Sequence, residues 1–175
     1  SSTSSDHALL SSGNARPMDF RVWLKSGFSK WRLSLLVFTV IYACLLLLNL
    51  GYMSIQWDEI SHLYGGLLLA RGRSQEYMAT YGYYPPLYDI VTAGYFQIFG
   101  VSAASGRLAA VTFSLLSVCI VFEFANRAYG PKIALISSIL LGSMPGFFWI
   151  SRVAMLETLL IFFFSLAMFF FFTWM

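Results

Sequence analysis

The sequence predicts an all-α, polytopic membrane protein with about four spanning helices, and interfacial helices in the first extracytoplasmic loop. Composition is the first reason. Of 175 residues, 58% are hydrophobic, 18% aromatic and only 11% charged, and the mean hydropathy of +0.71 is too high for an ordinary soluble domain. The second is that the apolar residues fall into runs near the roughly 20 residues that a hydrocarbon core of about 30 Å demands. The third is charge placement. Arg16, Arg21, Lys25, Lys30 and Arg32 all precede the first run, which by the positive-inside rule puts the N-terminus in the cytoplasm and the following loop outside.

In chain order, residues 1–15 are Ser-rich and read as a disordered tail. Residues 16–32 mix Phe20, Trp23, Phe28 and Trp31 with basic side chains, the profile of a basic interfacial helix touching anionic lipid. The first span is expected over 33–52. It is read as an anchor and not a cleaved signal, because it is long, starts late and lacks a small-x-small site. Spans over 108–124, 133–150 and 154–174 follow, and residues 53–107 form the first extracytoplasmic loop. Pro145 and Gly146 are expected to kink the third span.

The run 85–100, PPLYDIVTAGYFQIFG, is assigned to the interface. It is too short to cross upright, and Asp89 at membrane depth would cost about 2.5–3.5 kcal/mol. That parity puts Arg127 and Lys132 in a cytoplasmic turn, lets Glu123 pair with Arg127 one turn away, and returns SRVAMLE, residues 151–157, to the same face as Asp58.

The chemistry-bearing stretch is QWDEISHLYGGLLLARG, residues 56–72. At about 100° per residue, a helix from Trp57 sets Asp58, His62, Gly65 and Leu69 along one stripe, flanked by Glu59 and Gly66. Ile60, Leu63, Tyr64, Leu67 and Leu68 take the other side, so the helix is expected to lie apolar side down on the bilayer with its polar stripe offered outward. Ionisable groups beside a span default to functional candidates, which selects Asp58, Glu59 and Glu157. The plainer alternatives are helix-start carboxylates for the first two, and a salt bridge to Arg152 or a first-turn acid for Glu157.

His62, four residues after Asp58, is a hydrogen-bonding wall residue, or a ligand if Asp58, His62 and Glu157 were to hold a divalent metal. Arg71, Arg73, Arg107 and Arg152 fall on the outer side. For Arg107 and Arg152, at span ends, a lipid phosphate is the natural partner and headgroup snorkelling the plain one. Cys44 and Cys119 lie in apolar runs and serve as small hydrophobes. A net charge of +3 with scattered basic residues argues against nucleic acid as a partner.

The succession WDEISHLYGGLLLARG, YPPLYDIVTAGYFQIFG and GRLAAVTFSLLSVCIVFEFANRAYGPKIALISSILLGSMPGFFWISRVAMLETLLIFFF resembles the N-terminal portion of GT-C membrane glycosyltransferases. The likeness is closest to the protein O-mannosyltransferase and aminoarabinose transferase group, over roughly residues 33–175. It implies transfer of a sugar from a polyprenyl-phosphate carrier to a protein or lipid acceptor, with inversion, on the extracytoplasmic side of a cell membrane, or of the endoplasmic reticulum in a eukaryote.

By the same resemblance Asp58 is the general base, Glu59 orients the acceptor or its loop, and Arg107 holds the leaving phosphate. Glu157 stands where many relatives carry an aspartate. The family continues through further spans that complete the donor pocket, so the chain is expected to be part of a longer enzyme. The alternative is a shortened, non-catalytic membrane subunit that packs against other subunits. A transporter fits poorly, because the acids lie at the interface and not at mid-membrane.

Overall fold

The computed structural model describes residues 30–174, so the expected tail and most of the basic interfacial helix lie outside the described residues. Within it the chain forms eight helices and no strand. These are α1 (Lys30–Leu47), α2 (Trp57–Ala70), α3 (Ser74–Tyr81), α4 (Leu87–Phe99), α5 (Ala103–Tyr129), α6 (Pro131–Ser143), α7 (Pro145–Ile150) and α8 (Glu157–Trp174). The all-helical class is as the sequence predicts.

Three of the described helices, α1, α5 and α8, are long and apolar enough to cross a membrane, and α6 is apolar but shorter. The stretch read as one span over 133–150 is instead two helices. Met144 is extended, at φ −67° and ψ 120°, and Pro145 starts α7. A residue before proline is pushed out of the helical region, and proline is well suited to the first position of a new helix.

The long helix α5 is the axis of the bundle. Tyr42, Leu46 and Leu50 near the end of α1 pack with Val111, Val118 and Phe147, and Phe122 and Ala125 meet Ala134 of α6. Tyr88 of α4 meets Ala109, Ala154 and Leu159. Small residues let these backbones approach closely. The buried Ser114 and Ser138 hydroxyls donate to carbonyls one turn back, at 2.8 and 3.0 Å, so these two polar groups are satisfied within the packing.

Two contacts fix the helix directions. Arg32 near the start of α1 lies 3.3 Å from Glu123 near the end of α5, and Arg127 donates to Thr173 at the end of α8 (2.8 Å). Thus α1 runs against α5, and α8 runs with it. Glu123, expected to pair with Arg127 on its own helix, is met by Arg32 of α1. The opposite end of the bundle gathers the end of α1, the starts of α2, α5 and α8, and the α7–α8 turn.

Helix α2 is turned over relative to the sequence expectation. Glu59, His62, Gly65 and Gly66 of its polar stripe are buried, whereas Ile60 and Tyr64 of its apolar side are exposed. The cause is α4, which packs against the glycines. A Cβ at Gly65 would stand 2.8 Å from Asp89 Oδ2, and one at Gly66 would stand 2.7 Å from Thr92 Cγ2. Side chains that looked like an offered surface are instead the seam between two helices. Gly66→Ala should therefore force α2 and α4 apart and destabilise the fold by about 1–3 kcal/mol, read as unfolding of the purified protein in detergent.

Candidate active site

The end of the bundle is built around one buried ion pair. Glu59, in the first turn of α2, and Arg107, in the first turns of α5, are both fully buried. Arg107 Nε donates to Glu59 Oε1 at 2.6 Å and Nη2 to Oε2 at 2.8 Å, a two-pronged grip matched to carboxylate geometry. The other guanidinium hydrogens donate to the carbonyls of Leu50 (2.6 Å), Met53 (3.2 Å) and Ser54 (3.3 Å). A guanidinium has five N–H donors, and all five are used inside the chain.

Glu59 in turn accepts the backbone N–H of Ala154 at 3.0 Å and that of Gln56 at 3.1 Å. One carboxylate thereby ties the start of α2 to α5 and to the turn before α8. Burial alone would raise the Glu59 pKa. The hydrogen bonds from Arg107, Ala154 and Gln56, with the Arg107 charge, outweigh it and hold the group below the ordinary glutamate value.

Arg107 was expected to hold a leaving phosphate, and Glu59 to steer an acceptor. The structure leaves Arg107 no donor for a phosphate and Glu59 no exposed surface. The difference arises because the loop from Leu50 to Ser54 has carbonyls without helical partners, and a guanidinium satisfies three of them at once.

Asp58, one residue before Glu59, is exposed and has no side-chain partner among the described residues. Helical geometry enforces the contrast, since neighbouring residues point about 100° apart. Glu157 is likewise exposed, in the first turn of α8, three residues after the Ala154 amide that binds Glu59. The Tyr88 hydroxyl pKa is raised well above the usual value, first by burial and then by the charges of Glu59, Asp89 and Glu157.

Arg152 follows α7 at this same end. It donates through Nη2 to the carbonyl of Leu48 and lies over the Phe148 ring, 5.6 Å from its centroid. Its Nε is buried and without a hydrogen-bond partner among the described residues.

His62 does not stand with Asp58. Its Nδ1 lies 2.8 Å from Asp89 Oδ1, and Tyr77 donates its hydroxyl to Asp89 Oδ2 at 2.7 Å. With the carboxylate as acceptor, Nδ1 carries the hydrogen. The His62 ring meets Tyr88 edge-on at 5.1 Å. Burial and the Asp89 contact push the Tyr77 hydroxyl pKa well up, which keeps it a donor. The possible metal set of Asp58, His62 and Glu157 is thus divided, and among the described residues no three His, Cys, Asp or Glu side chains gather as a metal site.

Asp89 and Tyr77 were missed as site-building residues, although Asp89 carried a signal. An acid inside an apolar run is costly to bury and has to find partners. Asp89→Asn should weaken both hydrogen bonds and cost about 1–3 kcal/mol of stability. Tyr77→Phe should cost less, since it removes only one of them, and detergent unfolding of the two variants orders them.

With this geometry, the match of the chain to a known family becomes decisive: the dolichyl-phosphate-mannose-protein mannosyltransferase model matches residues 75–175, more than half of the chain. The chain belongs to that family. The matched part of this mannosyltransferase-family chain takes in Asp89, Arg107, Arg152 and Glu157, while Asp58, Glu59 and His62 lie just ahead of it. No curated protein and no solved structure matches the chain.

Proposed function

We propose that the enzyme containing this chain transfers mannose from dolichyl-phosphate-mannose to a protein hydroxyl on the extracytoplasmic side of its membrane. The family supports the donor and the class of acceptor. One observation carries the placement of the chemistry. Asp58 is an exposed carboxylate without a partner among the described residues, next to a glutamate locked by Arg107 and the Ala154 amide. A general base needs a fixed position and an unspent lone pair, and this mount supplies both.

In the proposed step the acceptor oxygen attacks the anomeric carbon from the face opposite the phosphate. Its proton passes to Asp58 as the new C–O bond forms, and the anomeric carbon to phosphate-oxygen bond breaks, leaving the electron pair on dolichyl phosphate. Configuration inverts. Glu59 and Arg107 act as positioning residues that hold Asp58. Arg152, half-buried at this end and with one terminal nitrogen given to the Leu48 carbonyl, takes the phosphate role first expected of Arg107. Glu157, exposed on the same end, faces the donor or acceptor from the α8 side.

Basic residues ahead of α1 favour a cytoplasmic N-terminus, and the antiparallel run of α1 and α5 then puts this end outside. A non-catalytic subunit would be favoured by purification in a stable stoichiometric complex, with Asp58 and Glu157 far apart or buried in ion pairs; among the described residues neither carboxylate is in an ion pair. The test is transfer of radiolabelled mannose from dolichyl-phosphate-mannose to an acceptor peptide by the reconstituted enzyme. Donor consumption that requires the peptide supports the reading; no labelled peptide with active donor present overturns it.

A further inference from the structure

The outward side of α2 carries a feature the transfer reading does not use. Trp57, Ile60, Tyr64, Leu67 and Arg71 recur at three- and four-residue spacing, so they form a single stripe on the face away from Glu59 and His62. Trp57, Ile60 and Tyr64 are exposed. The stripe is not a flat surface. Ile55, Ile60, Tyr64 and Leu67 on one side, with Phe96 and Val101 on the other, wall a cleft of about 260 Å³ between α2, the end of α4 and the start of α5.

The polar groups at its upper end are unequal. Glu76 accepts from the Tyr64 hydroxyl at 3.5 Å and is paired with Arg73. Arg71, which caps α2 on the same stripe as Leu67, is exposed and has no partner among the described residues. An apolar slot with an unneutralised guanidinium one helical turn beyond its Leu67 wall complements one kind of molecule, an acyl chain joined to an anionic head. The exposed Trp57 and Tyr52 suit headgroup depth.

We propose that this cleft is a binding site for one anionic phospholipid, with an acyl chain between α2 and α5 and its phosphate on Arg71. The site lies on the opposite face of α2 from Glu59, so a lipid here braces the helix that carries Asp58 without entering the site. The proposal is independent of the sugar or acceptor used.

The test is native mass spectrometry of the full 175-residue chain, titrated in detergent with phosphatidylglycerol or phosphatidylcholine. The wild-type chain is expected to retain phosphatidylglycerol preferentially, with retention unchanged by excess inorganic phosphate. Arg71→Gln should weaken phosphatidylglycerol about fivefold and leave phosphatidylcholine unchanged, since one surface guanidinium is worth roughly that factor towards an anionic headgroup. Ala103→Phe, which fills the cleft, should lower both. Equal retention of the two lipids by the wild-type chain overturns the proposal, as does an Arg71→Gln chain that keeps its phosphatidylglycerol. Arg71 is exposed, so that variant folds and decides the matter even if Ala103→Phe does not fold.

Discussion

Replacing Arg107 by alanine should cost about 3–5 kcal/mol of stability, the usual penalty for stranding one member of a buried ion pair. The structure explains why the loss falls at the upper end of that kind of effect. The change leaves the Glu59 carboxylate with only the Ala154 and Gln56 amides, and strips the carbonyls of Leu50, Met53 and Ser54 of their donor. Arg107→Lys should recover part of the loss, because an ammonium keeps the charge but cannot make the two-pronged contact.

Unfolding in detergent, set beside donor-lipid binding, separates two roles. A positioning residue loses stability first, whereas a phosphate ligand would lose donor affinity in a protein of normal stability. That second outcome would overturn the assignment. Acid supplies an independent readout. The folded pKa of Glu59 is depressed, so its contribution is fully present above the unfolded glutamate pKa and is lost as pH falls through the lower folded value. Arg107→Ala should flatten that part of the stability profile.

The same ion pair shows what the sequence could and could not disclose. The all-helical membrane class was legible because run length and hydropathy are properties of single segments, and the family was legible from the order of its motifs. The reversal of α2 was not. Its polar stripe looked exposed because a helix considered alone has only the bilayer to hide against. The partner that takes Gly65 and Gly66 is α4, a helix set apart as merely interfacial. Asp89 was dismissed with it, although a carboxylate in the middle of LYDIVTAGYFQIF implies buried donors somewhere, and His62 and Tyr77 are those donors.

Arg107 was singled out as a cation at a span end. Its partner could not be read, because Glu59 lies 48 residues away and the three carbonyls belong to a loop with no sequence signature. The break at Met144 was foreseen only as a kink. Whether proline bends a helix or ends it depends on the packing of both halves, here Phe147 against the α1 side of the core.

The consequence for catalysis concerns the residue that the lock leaves outside. Asp58→Asn is expected to lower mannosyl transfer by about 10²–10⁴-fold, the range for losing a positioned general base. Stability should stay within about 0.5 kcal/mol, as for a surface change away from buried networks. Asparagine keeps the shape and still suits the start of a helix, but it cannot accept the acceptor's proton. Donor-lipid binding should be retained, so the loss appears in kcat at saturating donor.

Glu157→Gln is the matched comparison. It removes a first-turn carboxylate of α8, whose favourable interaction with the helix N-terminus is worth about 0.3–1 kcal/mol, so its structural cost is small. Any larger loss of transfer then reports contact with substrate. Asp58→Asn acting at the wild-type rate, with the enzyme folded and donor bound, would remove Asp58 as the base. The Glu59–Arg107 lock would then stand as architecture alone, and the base would have to be sought at Glu157, the other exposed carboxylate at that end of the bundle.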